Sequence, residues 1–230
     1  MQGFRQGARA AVIGASGGIG GAIVDLLRAD PGFSEVLGFS RRGTPPLDVT
    51  DEASIAAAAA GAGELDLVFV ATGLLHDGDF RPEKDMRALD RDRLLRSFAV
   101  NAVGPALAAK HFLPLMPRGR RAVFACLSAR VGSISDNRIG GWHGYRASKA
   151  ALNMLIRNLA IETARKRPEH ILLALQPGTV DTGLSRPFSA SAPRLMSPAE
   201  SAAALLRVAA AAEPGWSGGL YDWRGERLPW

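Results

Sequence analysis

The chain is poor in the residues that would announce several kinds of chemistry. It has one cysteine, Cys126, two tyrosines, and four histidines among 230 residues. One cysteine cannot close an internal disulfide, so no disulfide framework and no sign of an oxidising compartment is present. His76, His111, His143 and His170 show no HxxxH spacing and no partner cysteines, which argues against a metal site. No apolar run approaches the roughly 20 residues that cross a bilayer. The opening MQGFRQGARAAVIGASGG passes from two arginines into a short apolar run that ends in glycines, and it reads as unprocessed. A cytoplasmic protein with no membrane partner is the expectation. Basic residues exceed acidic ones by 28 − 22 = 6. They are dispersed, without interleaved aromatics or a nucleic-acid module, so no nucleic-acid partner is expected.

What is present is an ordinary globular composition, 47% hydrophobic and 22% charged, enough for one core and a single domain over residues 1–230. Short apolar runs recur at 10–13, 35–39, 65–71, 121–128 and 171–176. Helix-like stretches separate them at 20–30, 53–63, 87–116 and 149–167, the alanine run 56–60 among them. Strands alternating with helices predict an α/β fold, a doubly wound parallel sheet covered on both faces. Residues 218–230 read as a last strand and turn at the sheet edge. Leu184–Pro198, rich in Ser, Ala and Pro, is the one long irregular insertion, expected after a sixth strand as a lid or a surface loop.

Residues 14–20, GASGGIG, follow the first apolar run and open into a helix. Glycines there permit a tight turn and close approach of backbone to a pyrophosphate at a helix N-terminus. The spacing Gly14-x3-Gly18-x-Gly20 is one residue wider than GxGxxG. About 20 residues further on, where such folds read the adenosine ribose, stands Ser40-Arg41-Arg42 with no carboxylate. Guanidiniums suit a 2′-phosphate, which points to NADP (NADPH) over NAD. Asp48-Val49, expected at the end of a third short run, is placed to take the adenine amino group, and Asp48 suits a turn or cap equally well.

Tyr145 and Lys149 lie four apart, one turn along a helix face. A phenol with pKa near ~10 needs a neighbouring cation to act as acid and base near neutrality. With the glycine loop upstream, Asn101-Ala102-Val103-Gly104 midway and Pro177-Gly178-Thr179-Val180-Asp181-Thr182 downstream, the chain resembles the short-chain dehydrogenase/reductase family over its full length. Within it the similarity is to the C-factor-like and sniffer-like carbonyl reductase branch.

The resemblance implies a Rossmann fold and carbonyl–alcohol interconversion on a small-molecule substrate. Tyr145 would exchange the proton, Lys149 would lower the tyrosine pKa and hold a ribose, and Asn101 would fix a water leading to solvent. Ser128 would polarise the carbonyl, with Ser133 and Ser135 as the competing serines. Gly14, Ser16, Gly18, Ile19, Gly20, Ala71, Gly73, Pro177, Gly178, Val180 and Thr182 would surround the dinucleotide. Val70-Ala71-Thr72-Gly73 departs from the family's Asn-Asn-Ala-Gly and puts some strand-linking hydrogen bonds in doubt. Helices near 97–115 and 146–166 imply a homodimer or homotetramer. Trp142, Phe188 and Leu195 suit either an apolar pocket or packing, His143 the substrate mouth or a solvated loop, and Cys126 the core. The second reading is a catalytically idle nucleotide-binding protein for signalling or redox sensing.

Overall fold

A computed structural model describes residues 3–188 and 194–230. Six strands form one parallel sheet in the order β2-β1-β3-β4-β5-β6. They are β1 (Ala8–Ile13), β2 (Phe33–Phe39), β3 (Leu67–Val70), β4 (Ala122–Leu127), β5 (His170–Gln176) and β6 (Gly219–Asp222). β3, β4 and β6 are buried at every position, as expected of strands covered on both faces. The chain winds outward one way to β2 and the other way from β3 to β6. The crevice where the winding reverses therefore opens at the carboxyl ends of β1 and β3, which is where ligands bind in open α/β sheets.

Two apolar layers hold the helices. α1 (Gly18–Ala29) and α6 (Pro198–Ala211) cover one face through Ile23, Val24, Leu27, Leu205 and Leu206. α2 (Glu52–Ala60), α4 (Gly104–Phe112) and α5 (His143–Ala164) cover the other through Ile55, Ala108, Phe112, Leu152 and Ile156. Local chemistry sets the helix starts. The Asp51 side chain accepts from the Ala53 N–H, Asp90 caps α3 (Arg91–Phe98), and Ser197 with Glu200 forms a capping box on α6.

The strand and helix runs read from the sequence are all present, with shifted ends, and the alanine run lies in α2. Two details change. No strand forms before Asp48-Val49; the segment follows β2 through a turn in which Gly43 and Leu47 donate to the Ser40 carbonyl. Leu184–Pro198 consequently follows the fifth strand rather than a sixth, and its residues 189–193 lie outside the described residues. The 87–116 stretch is also divided: α3 ends at Phe98, a π-helical turn spans Ala99–Val103, and α4 begins at Gly104. Gly104 has to be small, because a methyl there would lie 2.7 Å from Val49 Cβ.

His170, at the start of β5, is buried. Its Nε2 donates to the Pro117 carbonyl at 2.6 Å while Nδ1 is enclosed without a partner. Burial holds the ring's pKa below its ordinary value, so folding favours the neutral form. Its stabilising share is complete above ~pH 6.5 and is lost as pH falls, because only the unfolded chain takes up the proton readily. Urea titrations should show stability declining from about pH 7 towards pH 5, and His170→Asn should be less stable at neutrality yet show a shallower decline.

Candidate active site

The glycine loop leaves β1 with Gly14 at φ +91°, a conformation that favours glycine. Its neighbours allow little else, since a methyl on Gly14 would lie 3.0 Å from the Ala71 carbonyl. The Gly14 and Ala15 amides donate to the Phe39 carbonyl, and Gly17 returns to the Gly14 carbonyl at 3.0 Å. A Cβ on Gly20 would strike that same carbonyl oxygen, so Gly20 closes the turn. Ser16 and Gly18 are exposed, while Ile19 packs on the α1 side of the core. The N-cap of α1, Gly17, supplies no side-chain acceptor to the helix's positive end.

The downstream loop meets this one. A methyl on Gly18 would lie 2.9 Å from Thr182 Cγ2. Pro177 accepts from Ser201 Oγ at 2.8 Å, and Gly178, at φ +82°, packs beneath Met196 and Trp223. Val180 is buried and bridges to Met196, and Asp181 N donates to the Met196 carbonyl at 2.8 Å.

Arg41 and Arg42 are exposed at the tip beyond β2, presented by the Ser40 turn. Asp48 accepts from Thr50 N at 2.9 Å and Thr50 Oγ1 at 2.7 Å, which holds its carboxyl below the usual range. Here it shapes the turn ahead of α2, with Val49 buried against Gly104.

The second half of the site gathers on α5 and β4. Lys149 is 2% exposed and its Nζ donates to the Leu127 carbonyl at 2.8 Å, at the end of β4. The ammonium sits 5.9 Å from the centroid of the Tyr145 ring, the one-turn pairing that the spacing anticipates. Burial raises the Tyr145 phenol to about 12 and lowers Lys149 to about 8, since each loses hydration in its charged form. Gly73 is their exposed neighbour: a methyl there would lie 3.8 Å from both Lys149 Nζ and Asn101 Oδ1.

Asn101 lies fully buried in the π-helical turn, a feature that recurs at functional sites. Its carboxamide accepts from Leu74 N and donates to the Leu74 carbonyl, both at 2.8 Å, and donates to Ser148 Oγ at 3.1 Å. This clasp ties the segment after β3 to α5. The missing asparagine pair in Val70–Gly73 is offset by main-chain contact, with Ala71 N donating to the Ile13 carbonyl at 2.7 Å.

Ser128, buried at the end of β4, gives its hydroxyl proton to Asn153 Oδ1 at 2.6 Å. Polarising a substrate oxygen requires Ser128 to leave that bond or Asn153 to turn its NH2 towards it. Ser133 is engaged elsewhere, accepting from Asp136 N, and Ser135 is tied to the Trp230 carbonyl. Sequence reasoning misses Asn153. It also misses Glu83, buried at the start of α5, whose Oε2 accepts from Gly144 N at 3.1 Å. Trp142 stands between Tyr145 and Phe188 at ring separations of 6.2 and 5.2 Å, and His76 reaches Phe188 at 5.6 Å. Leu195 is exposed, His143 is the first residue of α5, and Cys126 is wholly buried with its thiol pushed upward by burial.

Gly20→Ala should open the turn at the Gly14 carbonyl, costing about 1–3 kcal/mol of stability in denaturant titration. It should weaken dinucleotide binding in the same protein, measured by fluorescence.

The chain matches the family described as enoyl-(acyl carrier protein) reductase over residues 14–216. It is 34% identical over 143 residues to C-signal of Myxococcus xanthus, covering 62% of this chain and 81% of that one. It is 31% identical over 190 residues to 1-hydroxy-2-glutathionyl-2-methyl-3-butene dehydrogenase of Rhodococcus sp. (strain AD45), covering 81% and 79%. An NADPH-bound carbonyl reductase from chicken fatty liver superposes with TM-score 0.84 at 26% identity, over 99% of this chain and 100% of that one. Carbonyl reductase Sniffer of D. melanogaster shares the fold at TM-score 0.82 and 21% identity, over 98% and 100%. A matched family spanning most of the chain, together with a dehydrogenase relative above 30% identity, means that this chain belongs to the short-chain dehydrogenase/reductase family of oxidoreductases.

Proposed function

We propose that the protein is an NADP(H)-dependent carbonyl reductase in which Tyr145 is the acid and base. The observation that carries this reading is the buried Lys149 ammonium set 5.9 Å from the half-buried Tyr145 ring, one helical turn away. It lies beside Gly73, at the crevice where the winding of the sheet reverses.

The residues suit the dinucleotide. The Gly14 turn leaves a cradle without side chains, the α1 N-terminus is open to a pyrophosphate, and Arg41 and Arg42 can grip a 2′-phosphate. Thr72, between Ala71 and Gly73, keeps a buried hydroxyl with no hydrogen-bond partner among the described residues. When bound, the cofactor supplies the hydride. Tyr145 then gives its proton to the substrate oxygen, and its high pKa keeps that proton in place until alkoxide charge develops. Lys149, as the ammonium, stabilises the phenolate left behind. Ser128 donates to the same oxygen once released from Asn153. Asn101 keeps the loop beside Lys149 in register through Leu74.

The substrate is a small carbonyl compound, and the protein works as a homodimer or homotetramer in the cytoplasm. C-signal's name keeps a binding and signalling role as the second reading. The complete set of Tyr145, Lys149, Asn101 and Ser128 favours the enzyme.

A panel of aldehydes and ketones tested with NADPH and NADH decides between them. Tyr145→Phe should lower turnover about 10²–10⁴-fold while NADPH still binds; unchanged turnover overturns the proposal. Reductive kcat/KM should fall above about pH 8, as Lys149 loses its proton. Replacing Arg41 and Arg42 by alanine should weaken NADPH about tenfold or more, with NADH little affected.

A further inference from the structure

The entry to α5 is built in an unusual way. Gly140, Gly141 and Trp142 have φ of +69°, +64° and +50°, three consecutive residues in the left-handed region. Trp142 is the single non-glycine residue with positive φ among the described residues, a conformation that costs an L-residue roughly 1–2 kcal/mol. Strain of this kind persists only where surrounding contacts dictate it, and it gathers at functional sites.

Asn137 Oδ1 accepts from Gly140 N and Arg146 Nε donates to the Gly141 carbonyl, both at 3.0 Å, and the long-range contacts come from Glu83 and its neighbour. Glu83 is 5% exposed. Its carbonyl accepts from Trp142 N at 2.5 Å and its carboxylate accepts from Gly144 N at 3.1 Å. A methyl on Gly141 would lie 3.1 Å from the Lys84 carbonyl, and one on Gly144 would lie 3.0 Å from Glu83 Oε1 and 3.1 Å from Ser97 Oγ. Gly141 and Gly144 are thus closely backed, while Gly140 stands in open space. Trp142, as the N-cap, contributes no side-chain cap, so the Glu83 carboxylate is the acceptor at this helix end. The outcome is functional in position: the Trp142 indole is turned edge-on to Tyr145 and to Phe188. Phe188 in turn meets His76, whose Nε2 donates to the Gly183 carbonyl at 2.9 Å.

We propose that Glu83 is a positioning residue of the active site. Its carbonyl and carboxylate hold Trp142 and Gly144 at the entry to α5 and thereby fix the left-handed Trp142, with its ring as the substrate-facing wall beside Tyr145. This rests on Tyr145 being the acid of carbonyl reduction. Glu83 acts through Trp142, so the two should not contribute independently to substrate binding.

The test compares wild type, E83Q, E83A, W142G and E83A/W142G. Three measurements are made on each: carbonyl reduction, NADPH affinity by fluorescence titration, and hydrogen exchange of the amides at 142–148. E83A and W142G should each raise KM for the carbonyl about tenfold or more, because a displaced wall misplaces the substrate. NADPH affinity should stay within about twofold, the double variant should be no worse than the worse single one, and E83Q, which keeps an acceptor for Gly144, should restore most of the loss. Exchange should quicken at Gly144–Ser148 in E83A. Additive KM losses, a wild-type KM in E83A, or unchanged exchange there overturns the proposal. Should E83A fail to fold, W142G decides, since glycine adopts φ +50° without strain and a wild-type KM there refutes the wall. If wild type reduces no carbonyl, the enzyme reading falls by itself, while exchange in E83A and E83Q still tests the latch.

Discussion

The constraint on which the site depends is the burial of the Lys149 ammonium. A cation only 2% exposed loses most of its hydration, which the protein must replace or else the group sheds its proton. One hydrogen bond, to the Leu127 carbonyl, does part of this, and burial still lowers the ammonium's pKa to about 8. The surroundings answer to that cation. Gly132 is a glycine because a methyl there would lie 2.9 Å from the Lys149 main chain, so the 3₁₀ turn Arg130–Gly132 can seat directly on α5. Gly73 lies next to the ammonium, exposed on the crevice side. Asn101 spends its whole carboxamide holding that segment in place.

Stability and function lie at opposite ends of the strands. At the amino ends, the buried Asp66 carboxylate gathers Arg5 at 3.1 Å, Arg120 at 3.3 Å and the Arg9 amide at 3.0 Å. Arg121 closes the carboxyl end of α6 by donating to the carbonyls of Ala209, Ala210 and Ala212. Charges there are answered by partners within the fold. At the carboxyl ends the pattern inverts: a helix start whose N-cap supplies no side-chain acceptor, the Thr72 hydroxyl with no hydrogen-bond partner among the described residues, and the exposed Arg41 and Arg42. Polar groups left unanswered in one place are what a ligand site requires, because a bound molecule can then complete them.

The sequence made the fold readable because alternating apolar runs and helical stretches map directly onto a parallel sheet, and the glycine loop and the Tyr145–Lys149 spacing depend on neighbours close in the chain. What it hid depends on partners far apart. Glu83 lies 61 residues from Gly144, and Asn153 lies 25 from Ser128. A glutamate in a loop and an asparagine within a helix look like solvated residues until the chain is folded. The strand count failed for a related reason: Leu47 and Val49 are apolar because they pack beneath α4, not because they extend into a sheet. Burial by itself leaves no period in so short a segment.

The place of Tyr145, in the first turn of α5, would ordinarily expose its phenolate to the helix's positive end. Glu83 occupies that end with a carboxylate and offsets part of the field. The tyrosine is consequently left to burial, which raises it to about 12, and to a single cation one turn further on. Lys149 is the cation set to stabilise a phenolate there, and its own charge can change near neutrality. Burial keeps the proton on the phenol near neutrality, and the ammonium beside it favours the phenolate once charge develops on a substrate, as the proposed acid of carbonyl reduction requires.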